Sequence, residues 1–194
     1  MEHSVLHTIF AGDDSFTSEE SQRIISSYER VSFSKMAFLS KAGEKVNHYY
    51  FLEEGYIRSF ATDQIGDEIT THFYLRGDAV IDWAAFLQRV PSKQNFQAQT
   101  DTTCWRIDFD KFQMLFHSIK GYRERGRAQL TQAYFNLAQK NLSHITDTAK
   151  DRYLNLIKQK PLLLQYAKLQ HISSYLGVTR SSLSRVRREI AQKN

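Results

Sequence analysis

One cysteine and two prolines stand among 194 residues. A single thiol, Cys104, closes no internal disulfide, and it supplies only one of the about four thiolates that an iron–sulfur cluster takes. Two prolines and eight glycines argue against a fibrous or disordered chain. No apolar run nears the roughly 20 residues that span a bilayer. The opening MEHSVLHTIFAGDDSF lacks the basic start and apolar core of a secretory signal. A cytoplasmic protein without a membrane partner is expected. Gly-rich phosphate loops, nucleophile elbows and H-E-x-x-H are also missing. What remains is ordinary globular composition, 41% hydrophobic and 24% charged.

Acidic residues are scarce in one place. Residues 150–194 hold ten Lys/Arg and two Asp/Glu, whereas residues 1–149 hold sixteen and nineteen. A tail of net charge +8 behind a body of −3 suggests two parts with different partners.

Thr17-Ser18-Glu19-Glu20 is a capping box and predicts a helix to about Tyr28. From Val31 to Ile107, short aromatic and β-branched runs alternate with the turn signals KAGEK, EEG, QIGD and RGD. Their spacing of about ten residues predicts some seven or eight antiparallel strands in a small barrel or jelly roll. HYYFLEEGYIRSFA reads as strand, tight turn and strand around Gly55, DEITTHFYLRGDAV as another strand pair, and NFQAQTDTTCWRIDF as two more. Asp108 reads as a helix N-cap. From Gly121 to Thr146, apolar residues fall at Leu130, Tyr134, Leu137, Ala138, Leu142 and Ile145. That spacing predicts one long helix, roughly 37 Å from end to end. A small barrel alone cannot hide so long a stripe, so a second copy of the helix is expected to cover it. Asp151–Lys160 forms another short helix, which Pro161 ends.

HISSYLGVTRSSLSRVRREI, residues 171–190, carries the clearest pattern. Counted from Leu169, Ile172, Ser173, Leu176, Gly177, Val178, Leu183 and Val186 form the skeleton of a helix-turn-helix. Gly177 suits the left-handed end of the first helix. Thr179 caps the second. Ser173 is small where the helices cross. On the second helix, Leu183, Val186 and Ile190 form an inward stripe, while Ser181, Ser184, Arg185 and Arg188 lie opposite. Arg180 and Arg187 flank them, with Ser182 beside the cap. Serines permit close approach to a groove, and arginines donate bidentate bonds to guanine. Lys168 and Lys193 add phosphate neutralisation. The expected DNA contacts are Thr179, Arg180, Ser181, Ser182, Ser184, Arg185, Arg187 and Arg188.

With its β-roll, long helix and terminal helix-turn-helix, the chain resembles the Crp/Fnr family of bacterial transcription regulators over essentially its whole length. The marks are HISSYLGVTRSSLSRVRREI and, more weakly, FLSKAGEKVNHYYFLEEGYIRSF with turn glycines such as Gly43, Gly55 and Gly77. The resemblance implies an α+β chain. Residues 1–120 form a cyclic-nucleotide-binding-like β-roll, 121–146 a dimerisation helix and 147–194 the helix-turn-helix domain. It implies a homodimer on a near-palindromic duplex operator, with RNA polymerase as a further candidate partner. By the family's motif, Arg180, Ser181 and Arg185 stand where bases are touched. The family more often has an acid where Ser181 stands, which leaves the target sequence open.

Cyclic-nucleotide-binding members carry Gly-Glu, then Arg-Ser or Arg-Thr, around a short helix. Here Ile81-Asp82 stands for the first pair and SKQNF occupies the region of the second. Arg89 and Lys93 are the nearest cations. A buried phosphate without a matched cation costs several kcal/mol, so cyclic AMP is not expected as effector. Asp82, Trp83, Arg89 and Lys93 are the candidate lining of a different effector's site. Tyr74, Trp83 and Phe86 either line an apolar pocket or belong to the core. No cofactor is identified. Haem would need an axial ligand from seven histidines, none in a diagnostic motif. Only AQKN follows Ile190, where the family usually has a β-hairpin wing, so weak phosphate contact and a shallow salt slope are expected.

Two other readings stay open. A cupin-like metal enzyme needs paired histidines such as H-x-H, yet His48 and His72 stand alone; an enzyme is not expected. An effector-free DNA-binding scaffold is compatible with the absent phosphate motif.

Overall fold

The computed structural model describes residues 4–192. Among these, a short π-helical turn (His7–Ala11) precedes eight α-helices and eight strands. Helix α1 (Ser18–Ser26) starts at the capping box. Thr17 Oγ1 accepts from the Glu20 amide at 3.1 Å, and Glu20 Oε2 accepts from the Thr17 amide at 3.0 Å.

The strands are β1 (Glu29–Phe33), β2 (Phe38–Ser40), β3 (His48–Glu54), β4 (Ile57–Thr62), β5 (Glu68–Tyr74), β6 (Ala79–Val80), β7 (Asn95–Ala98) and β8 (Thr102–Asp108). They form two antiparallel sheets ordered β1-β8-β3-β6 and β2-β7-β4-β5. Sequence reading finds the strands but suggests the wrong partners. Strands β3 and β4, β5 and β6, and β7 and β8 each fall in opposite sheets. Among consecutive strands only β4 and β5 share a ladder, from Ile57↔Tyr74 to Thr62↔Glu68. The turn at Gly55 therefore crosses between sheets. It has a φ of 95°, and an added Cβ would lie 2.6 Å from the Asp101 carbonyl oxygen. Only glycine fits that left-handed, close-packed position.

Both faces of the central strands are covered, which is why β3 is buried continuously from Tyr49 to Glu53 rather than alternating. Inward residues from both sheets, among them Leu52, Ile57, Val80, Phe96 and Cys104, fill the roll. Outside the first sheet, Tyr49, Phe51 and Ile107 join Leu6, Phe10 and Ile24 in the largest cluster. That cluster also takes residues from α2 (Trp83–Gln88), α3 (Phe109–Ser118) and the start of α4 (Lys120–Thr146). Asp108 caps α3 by accepting from the Lys111 amide at 2.8 Å.

Helix α4 has 27 residues and is roughly 40 Å long. Its first turns are anchored: Tyr122 shares a 2.8 Å hydroxyl contact with Tyr28, and Tyr49 donates to Gln129 at 3.0 Å. Beyond them, Leu130, Tyr134, Leu137, Leu142 and Ile145 are 41, 66, 57, 60 and 84% exposed. Then follow α5 (Ala149–Gln159), α6 (Leu163–Tyr166), α7 (Leu169–Leu176) and α8 (Arg180–Ala191). These helices share a cluster with Tyr56, which stands just before β4, and with Phe73 of β5.

Candidate nucleic-acid interface and barrel site

Helices α7 and α8 meet around Ile172, Leu176, Leu183 and Val186, each at most 7% exposed. Ser173 is buried at the crossing. Gly177 ends α7 at φ 66°, as the left-handed cap requires. Thr179 Oγ1 accepts from the Ser182 amide at 3.1 Å and starts α8. The Ser182 hydroxyl also contacts Thr179 at 2.9 Å, which keeps this half-buried residue at the cap.

The opposite side of α8 is open. Arg180, Ser181, Ser184, Arg185, Arg187 and Arg188 are exposed, and the first turn holds no acidic residue. The Arg185 side chain is 74% exposed, with its Nε 4.0 Å from Glu189. An exposed pair of that kind holds a guanidinium weakly, so Arg185 remains available to an outside acceptor. Lys168 is exposed at the start of α7; Lys193 lies outside the described residues.

The barrel residues are engaged differently. Asp82 caps α2 by accepting from the Ala85 amide at 3.1 Å, and its other oxygen accepts from the Ser92 hydroxyl at 2.8 Å. The carboxylate thus closes on the segment following α2. Arg89 sits at φ 58° just after that helix. It donates to the Val46 carbonyl at 2.9 Å and to Asn47 at 3.1 Å, with its guanidinium 4.0 Å from the Phe109 ring centre. Trp83 packs near Tyr49 at 5.7 Å, and Lys93 is exposed. The structure brings Asp82 to Ser92, Trp83 to Tyr49, and Arg89 to Val46, Asn47 and Phe109. Phe86 and Tyr74 likewise belong to two separate clusters.

Inside the roll, Ser59, Thr71 and Gln94 form a short hydrogen-bond chain of 2.8 and 2.6 Å. Burial holds the Cys104 thiol up at about 12, so it stays protonated and unreactive at neutral pH. Among the described residues, no group of three or more His, Cys, Asp or Glu is placed to hold a metal ion. Two clefts of about 510 and 410 Å³ open outside the roll. One lies beside α1; the other lies between Arg30, Glu53 and Trp105.

A third polar group escapes sequence reading. Arg58 on β4 is 2% exposed, ion-paired with Glu68, and within 3.4 Å of the Thr70 hydroxyl. The Thr70 hydroxyl in turn accepts from Ser174 of α7 at 2.9 Å. Nearby, Lys140 of α4 donates to the Thr71 carbonyl at 3.0 Å and lies 3.7 Å from the Tyr175 ring centre. Lys160 pairs with Asp78 at 2.6 Å. The one available signal was a cation alternating with Tyr56 and Phe60 on a strand.

Known proteins match this architecture. The profile of the cyclic nucleotide-binding domain family matches residues 30–118. No curated protein matches the chain in sequence. A doubly substituted CooA from Carboxydothermus hydrogenoformans is 15% identical with a TM-score of 0.72, covering 100% of this chain and 86% of that one. The c-di-GMP responsive global regulator CLP from Xanthomonas campestris is 14% identical at 0.69, covering 91% and 93%. FixK2 from Bradyrhizobium japonicum is 17% identical at 0.70, covering 86% and 85%. Residues 30–118 thus match the cyclic nucleotide-binding domain family, and the chain as a whole shares the fold of these solved regulators, as it does that of a crp/fnr-family protein from Eubacterium rectale.

Proposed function

We propose that the chain is a homodimeric, non-enzymatic transcription regulator that reads a near-palindromic duplex operator. Residues 1–120 act as the sensory or scaffold roll, 121–146 as the dimer helix and 147–194 as the DNA-binding part. The observation that carries this reading is the α8 surface. Four arginines and two serines stand exposed on a helix whose other side is locked to its own domain. Such a surface presents donors to base edges and phosphates with almost no competing carboxylate.

Dimerisation rests on α4. Its six exposed large apolar side chains, Phe135 among them, run along the half that its own roll leaves uncovered, and a second α4 buries the stripe. Pairing presents two α8 helices to successive major grooves.

For an effector, the roll favours a ligand other than cyclic AMP. A cyclic phosphate placed against Asp82 and Ser92 meets a carboxylate, while Arg89 is turned to Val46 and Asn47. An effector acts by changing the relative placement of the DNA-binding parts. RNA polymerase is a candidate further partner.

The test is recovery of genomic fragments on the purified protein, followed by alignment of their sequences. A two-fold symmetric motif bound with nanomolar affinity is expected. Binding without sequence preference, or by a monomer with undiminished affinity, overturns the reading.

A further inference from the structure

Helix α7 is not free to follow a partner, because it lies against the roll. His171 stands in its first turn, 6% exposed. Its Nε2 is 3.4 Å from the Gln170 amide nitrogen, and its Nδ1 is buried without a hydrogen-bond partner. Arg58 faces it from β4 and Glu68 from β5. Lys168 precedes its own helix, and Arg180 begins α8. Three cations thus surround the imidazole against one carboxylate, which Arg58 already holds. A proton on His171 enters a buried site with no acceptor for it. Burial first, then Arg58 and Lys168, push its pKa from 6.5 to about 4.

The seam is held and opposed by interactions of similar kind. Ser174 bonds to Thr70, Lys140 to the Thr71 carbonyl and Lys160 to Asp78, while Phe73 packs 5.0 Å from Tyr175. Against closure, the Tyr56 hydroxyl and Arg58 Nε share the fate of His171 Nδ1, buried and unpartnered. Water meets all three when the seam parts, which offsets part of the lost contact. A balance of that kind is what a two-state element requires.

We infer that the seam between β4–β5 and α7 is a latch, closed while His171 is neutral and opened when it takes a proton, which frees the α7–α8 pair from the roll. The sign follows from linkage. The open state binds the proton near 6.5 and the closed state near 4. Closure is therefore complete above about pH 7, weakens as pH falls through 6.5, and levels off below 4. Between pH 7.5 and 5, His171 by itself lowers the closing equilibrium about 30-fold. Two other histidines lie near the seam. His72 on β5 is held down to about 4 by burial and Lys160, and His144 on α4 is held down by burial and Lys140. They push the same way and must be separated from His171.

The consequence for operator binding rests on the function proposed above, whereas the latch does not. The experiment therefore reads the seam without DNA. Nitroxide labels on I65C, in the β4–β5 turn, and K158C, on exposed α5, report the separation of roll and terminal helices by pulsed EPR. The labelled chain is diluted into excess unlabelled chain to remove distances between copies. Buried Cys104 stays unlabelled.

The expected result is one short distance at pH 7.5 and a growing longer population at pH 5, with circular dichroism showing the helices intact. His171→Gln is expected to remove a larger factor from the pH dependence, about tenfold or more, than His72→Gln or His144→Gln. An unchanged distance in the folded wild type, or a loss in His171→Gln no larger than in His72→Gln and His144→Gln, overturns the latch. Should His171→Gln fail to fold, NMR titration of the wild-type imidazole decides the matter: a midpoint near 6.5 in the closed form overturns it as well.

Discussion

The roll and the terminal helix treat their charged side chains in opposite ways. In the roll, Glu53 accepts from the Val5 amide, Trp105 and Arg76. Asp82 accepts from Ala85 and Ser92, and Arg89 donates to Val46 and Asn47. Along α8 the arginines are exposed, with one 4.0 Å approach to Glu189. Charges already satisfied by their own chain hold structure together. Cations left in water carry no such duty and are available to an external anion. Charge count alone separates the two regions, but the difference in use appears only when partners are assigned.

The largest effect is expected from Arg185→Glu combined with Arg188→Glu. Duplex affinity at physiological salt should fall at least about 100-fold, read by fluorescence anisotropy. The melting temperature should barely move, because these surface positions lie outside the core. Unchanged affinity would erase the distinction between the two regions.

Next comes Leu142→Glu with Ile145→Glu. Sedimentation is expected to show monomers, with operator affinity reduced about tenfold or more through loss of the second half-site. A surviving dimer would move the pairing surface off α4.

On the roll side, Gly55→Ala should destabilise by about 3 kcal/mol without touching the α8 surface, read by denaturant unfolding. A change below about 0.5 kcal/mol would contradict the 2.6 Å approach to the Asp101 carbonyl oxygen. Asp82→Ala, which removes a cap and the Ser92 bond, is expected to cost about 1–2 kcal/mol. The smallest effect is expected from millimolar cyclic AMP, with a melting shift below about 1 °C. A rise of several degrees would show a phosphate site that the engaged Asp82 and Arg89 do not suggest.

The helix-turn-helix was legible because its determinants are local. Three- and four-residue spacing, one left-handed glycine and one hydroxyl cap specify α7 and α8 almost without reference to the rest. Strand existence was legible for the same reason: turn glycines and β-branched runs act within a few residues. Strand partnership was not. Gly55 marks a turn equally well whether the chain folds back on its neighbour or crosses to the other sheet. The close approach to Asp101 and Thr102, some 46 residues away in sequence, belongs to the crossing. The seam was least legible, because Arg58 in YIRSF looks like any solvent-facing strand cation. Its burial is made by Thr70 on the next strand and by Ser174, 104 residues from Thr70.

Sequence by itself determined the basic terminus, the capped helices and the apolar stripe of α4, since each depends on side chains within one or two turns. Tertiary structure decided which charges are engaged and which are free, which strands pair, and that His171 lies between Arg58 and α8. Those outcomes depend on desolvation and on neighbours distant in the chain, and neither is encoded in local spacing.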